Sequence, residues 1–145
     1  MTISLENEYF RWHRETWDIA KVLRDINAGE LTPKLVDISP SFVTAYATQY
    51  LGLDKTQRGE QARSGLMVRV NAKNALELPQ HVLHLPLILL CPRKGLGIFQ
   101  LEGSTSHDHV LADGNHRIAR AFFDDISGLK AFVLTPSESA RYRLA

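Results

Sequence analysis

The stretch Val110-Leu-Ala-Asp-Gly-Asn-His-Arg-Ile-Ala-Arg-Ala-Phe-Phe123 decides how this chain folds. Its apolar opening runs into Asp113-Gly114 and reads as a short strand ending in a turn. From Asn115 the period changes. Ala119, Phe122, Phe123 and Ile126 fall on one helical face, and Arg117, Arg120 and Asp124 on another. A strand, a glycine turn and a helix start bearing His116 and Arg117 therefore form one corner. Gly128 suits the end of the helix.

Working outward, Lys130-Ala-Phe-Val-Leu134 reads as a final strand, and Pro136-Ser137-Glu138 opens a short helical tail. Upstream, His109 to Ala112 alternates, with His109 and Leu111 on one side and Val110 and Ala112 on the other. Ile98-Phe-Gln-Leu101 reads as a hairpin arm after the turn Pro92-Arg-Lys-Gly95. Leu83 to Leu90 is strongly apolar, but Pro86 inside it favours an edge position or a strand that starts afterwards, at Leu87-Ile-Leu-Leu90. Leu66-Met-Val-Arg-Val70 reads as a strand, followed by a connector at Asn71 to Asn74. Asp54 to Ser64 reads as an exposed polar segment, whose Lys55, Arg58 and Arg63 could meet phosphates or simply be solvated.

Leu35-Val-Asp-Ile38 is a strand candidate, and Ser39-Pro40 reads as the cap and first position of a helix through Phe42, Val43, Tyr46, Ala47, Tyr50 and Leu51. Gly52 stops it. The aromatics at 42, 46 and 50 share a face, which predicts core packing, with base stacking as the alternative. At the N-terminus Tyr9, Trp12, Thr16, Ile19, Leu23 and Ile26 recur at steps of three and four. This predicts one amphipathic helix ending near Gly29, with Trp12 and Trp17 as core anchors or as an exposed partner-binding face. The fold class is α+β: a mixed sheet with helices in a single domain over 1–145, with 1–30 as a helical extension and about 35–135 as the core.

Composition sets the frame. The chain has 145 residues, enough for one core, and a net charge of +1, which supplies no global basic field for nucleic acid. Cys91 is the only cysteine, so an internal disulfide is impossible. Met1 to Glu8 is polar and acidic, unlike a signal peptide. No apolar run nears the roughly 20 residues of a membrane span. A soluble, cytoplasmic protein with no membrane partner is expected; composition leaves the oligomeric state open.

The corner carries the chemistry. A helix start exposes backbone N–H groups and a partial positive charge, and anions bind there. Gly114 lets the backbone approach a ligand closely. Arg117 offers a planar fork for phosphate oxygens. His116 can donate a hydrogen bond or move a proton near neutral pH. Asp113 could cap the helix, orient His116, hold a metal or serve as base. Asp-Gly is also a common turn, and Asp113 or Asn115 could be no more than a helix cap.

The segment from about Leu87 to Leu134 resembles the partition-protein ParB/sulfiredoxin superfamily, whose members carry a strand, a Gly-x-x-Arg corner, a helix and another strand. Here the corner is Gly114-Asn115-His116-Arg117. The Asp-Gly-x-His-Arg pattern of Asp113 to Arg117 is closest to a free-serine-kinase branch. The resemblance implies phosphate binding by Gly114, Asn115, His116 and Arg117; catalytic roles are expected for His116 and Asp113 of the corner and for Asp108 of the loop just upstream. It implies a nucleotide (ATP, ADP or CTP) with Mg²⁺, or a phosphorylated small molecule, and phosphotransferase or nucleotide hydrolase activity. Asn115 stands where sulfiredoxins carry their cysteine nucleophile, so sulfinic-acid reduction is not expected. His116 replaces an arginine of the partition-type corner. The chain leaves no length for helix-turn-helix and dimerisation domains, so centromere binding is not expected either.

A second constellation lies upstream at His107, Asp108 and His109. His107 and His109 would project to one side of an extended segment, so a divalent ion could sit between them. The same residues also read as a polar loop entering a strand. His107 or Asp108 could supply a base beside a held phosphate, and Asp113, Asp108 or Glu102 a base or metal ligand. Two further readings remain. One is a non-enzymatic nucleic-acid-associated module using Arg58, Arg63, Arg69, Arg93 and Lys94. The other is a metal-dependent nuclease using His107, Asp108, His109 and Asp113. Arg117→Ala is expected to abolish ligand binding and leave the fold intact.

Overall fold

A computed structural model describes residues 9–12, 14–49, 51–55, 76–78, 82–83, 85–92 and 109–144. Among them stand six strands and four helices: β1 (Tyr9–Trp12), β2 (Glu15–Asp18), α1 (Ile19–Asn27), β3 (Lys34–Asp37), α2 (Pro40–Gln49), β4 (Leu87–Leu90), β5 (Val110–Asp113), α3 (Asn115–Asp124), β6 (Lys130–Val133) and α4 (Pro136–Arg141). The expected elements at 66–70, 71–74, 98–101 and 103–108 lie outside the described residues. The α+β class with a mixed sheet is as the sequence predicts. No helix among the described residues is long and apolar enough to cross a membrane.

The chain gathers into two compact units. One holds Met1–Val36, Leu87–Asp113 and Ala131–Ala145, and the other Asp37–Pro86 and Gly114–Lys130. The chain passes between them at 36/37, 86/87, 113/114 and 130/131, so neither unit is a continuous segment.

In the first unit the N-terminal residues correct the sequence reading. The single helix expected from Tyr9 is an antiparallel hairpin followed by a shorter helix. Tyr9 pairs with Asp18, Phe10 with Trp17, Arg11 with Thr16 and Trp12 with Glu15. Phe10 and Trp12 are buried while Tyr9 and Arg11 are exposed, a period of two that suits a half-buried strand. The segment is also rich in aromatic residues that favour strands. The helix begins only at Ile19, where the Asp18 carboxylate accepts from the Lys21 N–H at 3.0 Å. It ends as expected beside Gly29 (φ 76°), where Gly29 N–H reaches Ile26 C=O and Glu30 N–H reaches Asp25 C=O.

This segment is not an extension. Trp17 has no exposed surface, and its indole N–H donates to the Ser139 carbonyl at 3.1 Å. Trp17 also bridges to Arg143, whose guanidinium ion-pairs with Glu15 at 2.9 Å. Phe10, Trp12, Val22 and Leu23 share one core with Ile88, Leu90, Val110 and Leu134. Both tryptophans are therefore core anchors, and the exposed partner face drawn from them is excluded.

The four-stranded sheet runs β3-β6-β4-β5, with β4 antiparallel to β5 and parallel to β6. β4 starts immediately after Pro86, as the proline requires, and all four of its residues are buried, as expected of an inner strand. β3 begins one residue earlier than the sequence suggests. Thr135 and Glu138 form a reciprocal capping box that starts the expected tail helix, α4.

In the second unit Ser39 caps α2, accepting from Phe42 N–H at 3.1 Å. The helix closes at Gln49 rather than Leu51, and Gly52 (φ 64°) follows in the left-handed region. Tyr50 lies outside the described residues. α3 opens at Asn115 as predicted but stops before Gly128. Asp125 takes the left-handed conformation (φ 53°), and Ile126 N–H closes onto Ala121 C=O. α2 packs against α3.

Candidate functional site

Asp113 ends β5 in the first unit, and Gly114 to Arg117 open α3 in the second.

β5 carries a bulge just before the corner. Leu89 pairs with Leu111 but Ile88 pairs with Asp113, so Ala112 is the extra residue. A bulge bends its strand and re-aims the residues that follow. Asp113 itself is 1% exposed, an internal carboxyl. His109, which precedes the strand, is also buried.

In the second unit Gly114 is the residue before α3, with φ 110° and ψ 15°, and as a glycine it has no side chain with which to cap the helix. The left-handed backbone explains the glycine, because a Cβ is strained there. The first bond of the helix ladder is Ile118 N–H to Gly114 C=O at 2.9 Å. The amides of 115–117 therefore precede the ladder.

The three side chains of this turn have different fates. Asn115 is buried, and its Oδ1 accepts from the Tyr46 hydroxyl on α2 at 2.7 Å. His116 is half-buried. Arg117 is 2% exposed, and its Nη1 donates to the carbonyls of Leu85 (2.8 Å) and Pro86 (3.1 Å). The sequence presents Arg117 as a phosphate fork. The structure ties one arm of that fork to the backbone ahead of β4. One turn later Arg120 pairs with Asp124 and donates to the carbonyls of Leu76 and Leu78. Lys55, read as a surface cation that could meet phosphate, pairs with Asp125 and lies 5.6 Å from the centre of the Phe122 ring.

Tyr46 is the residue the sequence reading undervalued. Its helical spacing predicts core packing, and it does stack on Phe42 at 6.0 Å. Its hydroxyl nevertheless reaches the corner. A tyrosine rather than a phenylalanine at a buried helical position was the available signal, because a buried phenol needs a partner.

Among the described residues no group of three or more His, Cys, Asp or Glu comes together to hold a metal. His107, Asp108 and Glu102 lie outside the described residues, as do Arg58, Arg63, Arg69, Arg93 and Lys94. Comparison with family models, with curated proteins and with solved structures gives no match to this chain.

Proposed function

We propose that Gly114 to Arg117 is a phosphate-binding corner of the ParB/sulfiredoxin type, and that the protein takes a nucleotide or a phosphorylated small molecule there. One observation carries the reading: α3 starts behind a left-handed glycine, and the first bond of its ladder is made only by Ile118 N–H, so the amides of 115–117 precede the ladder. A phosphate would take hydrogen bonds from the amides of the first turn and gain from the helix dipole.

His116, half-buried in the first turn, is the group we assign to the ligand, as hydrogen-bond donor or proton carrier. Asn115 shapes the turn from the Tyr46 side. Arg117 acts one step removed, holding 85–86 against the base of α3. Asp113, being 1% exposed, we assign to positioning the corner rather than to meeting substrate. If the corner catalyses, the chemistry is phosphoryl transfer or nucleotide hydrolysis, with charge on the phosphoryl oxygens stabilised by the amides and His116.

The described residues do not make a protein cage for Mg²⁺. An ion carried mainly on nucleotide phosphates would need at most one or two protein carboxylates, for which Asp108 is the candidate. When bound, such an ion supplies neutralisation of phosphate charge.

Titration calorimetry of the full chain with ATP, ADP, CTP and GTP, with and without Mg²⁺, tests the reading. Saturable one-site heat with at least one of them is expected. No heat with any of the four overturns the nucleotide assignment.

A further inference from the structure

The solvent face of the β1–β2 hairpin carries charge and an aromatic ring well apart in sequence from the corner. Tyr9 and Arg11 alternate with the buried Phe10 and Trp12, so they project from the same outer face, two residues or about 7 Å apart along the strand. Arg14 stands in the two-residue connection that joins Trp12 to its partner Glu15. The Tyr9 residue is 57% exposed, and Arg11 and Arg14 are both exposed.

The hairpin carries as many carboxylates as arginines, but the two signs are not equally available. Glu15 is paired with Arg143 at 2.9 Å, and that pair is largely buried. Asp18 is turned to the start of α1, where it caps the Lys21 amide at 3.0 Å. Its charge is offset by the helix dipole. Arg11 and Arg14, by contrast, have no ion-pair partner among the described residues. The acidic groups are thus neutralised within the fold, the outer face presents the Arg11 guanidinium beside the open Tyr9 ring, and Arg14 adds a second exposed cation at the turn.

We propose that this face binds single-stranded nucleic acid, with a base stacked on Tyr9 and backbone phosphates on Arg11 and Arg14. Exposed aromatic rings interleaved with cations recognise strands whose bases are unpaired, because a duplex offers no free base face. The guanidinium fork suits phosphate oxygens and needs no sequence. The net charge of +1 does not oppose this, because contact depends on the local field.

The test is fluorescence anisotropy of labelled single-stranded DNA and RNA of roughly ten nucleotides, titrated with the full chain. With two phosphate contacts, the salt dependence should have a log–log slope of about −1.4, so a fourfold rise in salt weakens binding about sevenfold. Arg11→Ala with Arg14→Ala should abolish that dependence. Tyr9→Ala should weaken binding about fivefold or more, and Tyr9→Phe should restore it. All three positions are exposed, so circular dichroism should show unchanged folds. The inference is overturned if neither oligonucleotide binds at low salt, or if the arginine and Tyr9→Ala variants bind like the parent. It is also overturned if duplex binds as tightly as single strand, or if only anionic vesicles bind.

Discussion

The Tyr46 hydroxyl donates to Asn115 Oδ1 at 2.7 Å, and both side chains are more than nine-tenths buried. This bond joins the middle of α2 to the first residue of α3, the turn on which the proposed corner depends. Tyr46→Phe keeps the ring stacked on Phe42 and removes only the donor. Stability to urea should fall by about 1–2 kcal/mol, with a cooperative transition retained. An unchanged midpoint would mean that the bond does not hold the corner.

Arg117 is expected to matter for folding. Removing it leaves the Leu85 and Pro86 carbonyls without this donor and opens a space in the second unit. Arg117→Ala should therefore cost about 3 kcal/mol or more in chemical denaturation. Arg117→Lys should recover only part, since a single ammonium does not reproduce the planar fork. The sequence reading expected an intact fold with binding abolished, and the burial of Arg117 reverses that order. A neutral effect on stability would return Arg117 to a ligand role.

Gly114 adopts φ 110°, outside the range of ordinary L-residues. Gly114→Ala should destabilise the protein by about 2 kcal/mol, because the methyl group forces a strained backbone at the start of α3. Thermal unfolding of this variant against the parent checks the conformation directly, and an unchanged midpoint would contradict it.

Alkaline pH should expose the pair between α1 and the C-terminal segment. Tyr142 donates to Asp25 at 2.8 Å, and both are buried. Burial first, then the hydrogen bond and the charge of Asp25, pushes the phenol from its ordinary 10 up to about 12. Folded chains keep this proton through a window in which unfolded chains have lost it. The stability it contributes is complete below pH 10 and declines toward pH 12, by of order 2 kcal/mol in total. Urea midpoints measured across this window should fall for the parent, with that component missing in Tyr142→Phe. Parallel profiles would rule the linkage out.

The elements legible in the sequence are those whose signals are local. Ser39-Pro40, Pro86 before β4, Thr135 to Glu138, and the change of period at Gly114 each act within a few residues, and the structure places an element boundary at each. The hairpin was hidden because Tyr9, Trp12 and Thr16 also satisfy helical spacing. The choice is made by contacts far along the chain, such as Trp17 with Ser139 and Arg143, which no local window contains. Arg117 illustrates the same limit at the candidate site. Two of its partners lie 31 and 32 residues upstream and are backbone carbonyls, to which residue identity gives no clue. His116 and Gly114 were recognisable from type and position, whereas the role of Tyr46 emerges only once α2 packs on α3.

The central claim is that α3 begins at a phosphate site. Amide-resolved NMR titration of the full chain with ATP, CTP and inorganic phosphate, with and without Mg²⁺, addresses it most directly. The account predicts that the largest saturable shifts fall on the backbone amides of Gly114 to Arg117 and on the His116 ring. Shifts confined to other parts of the chain, or none at saturating ligand, would contradict it.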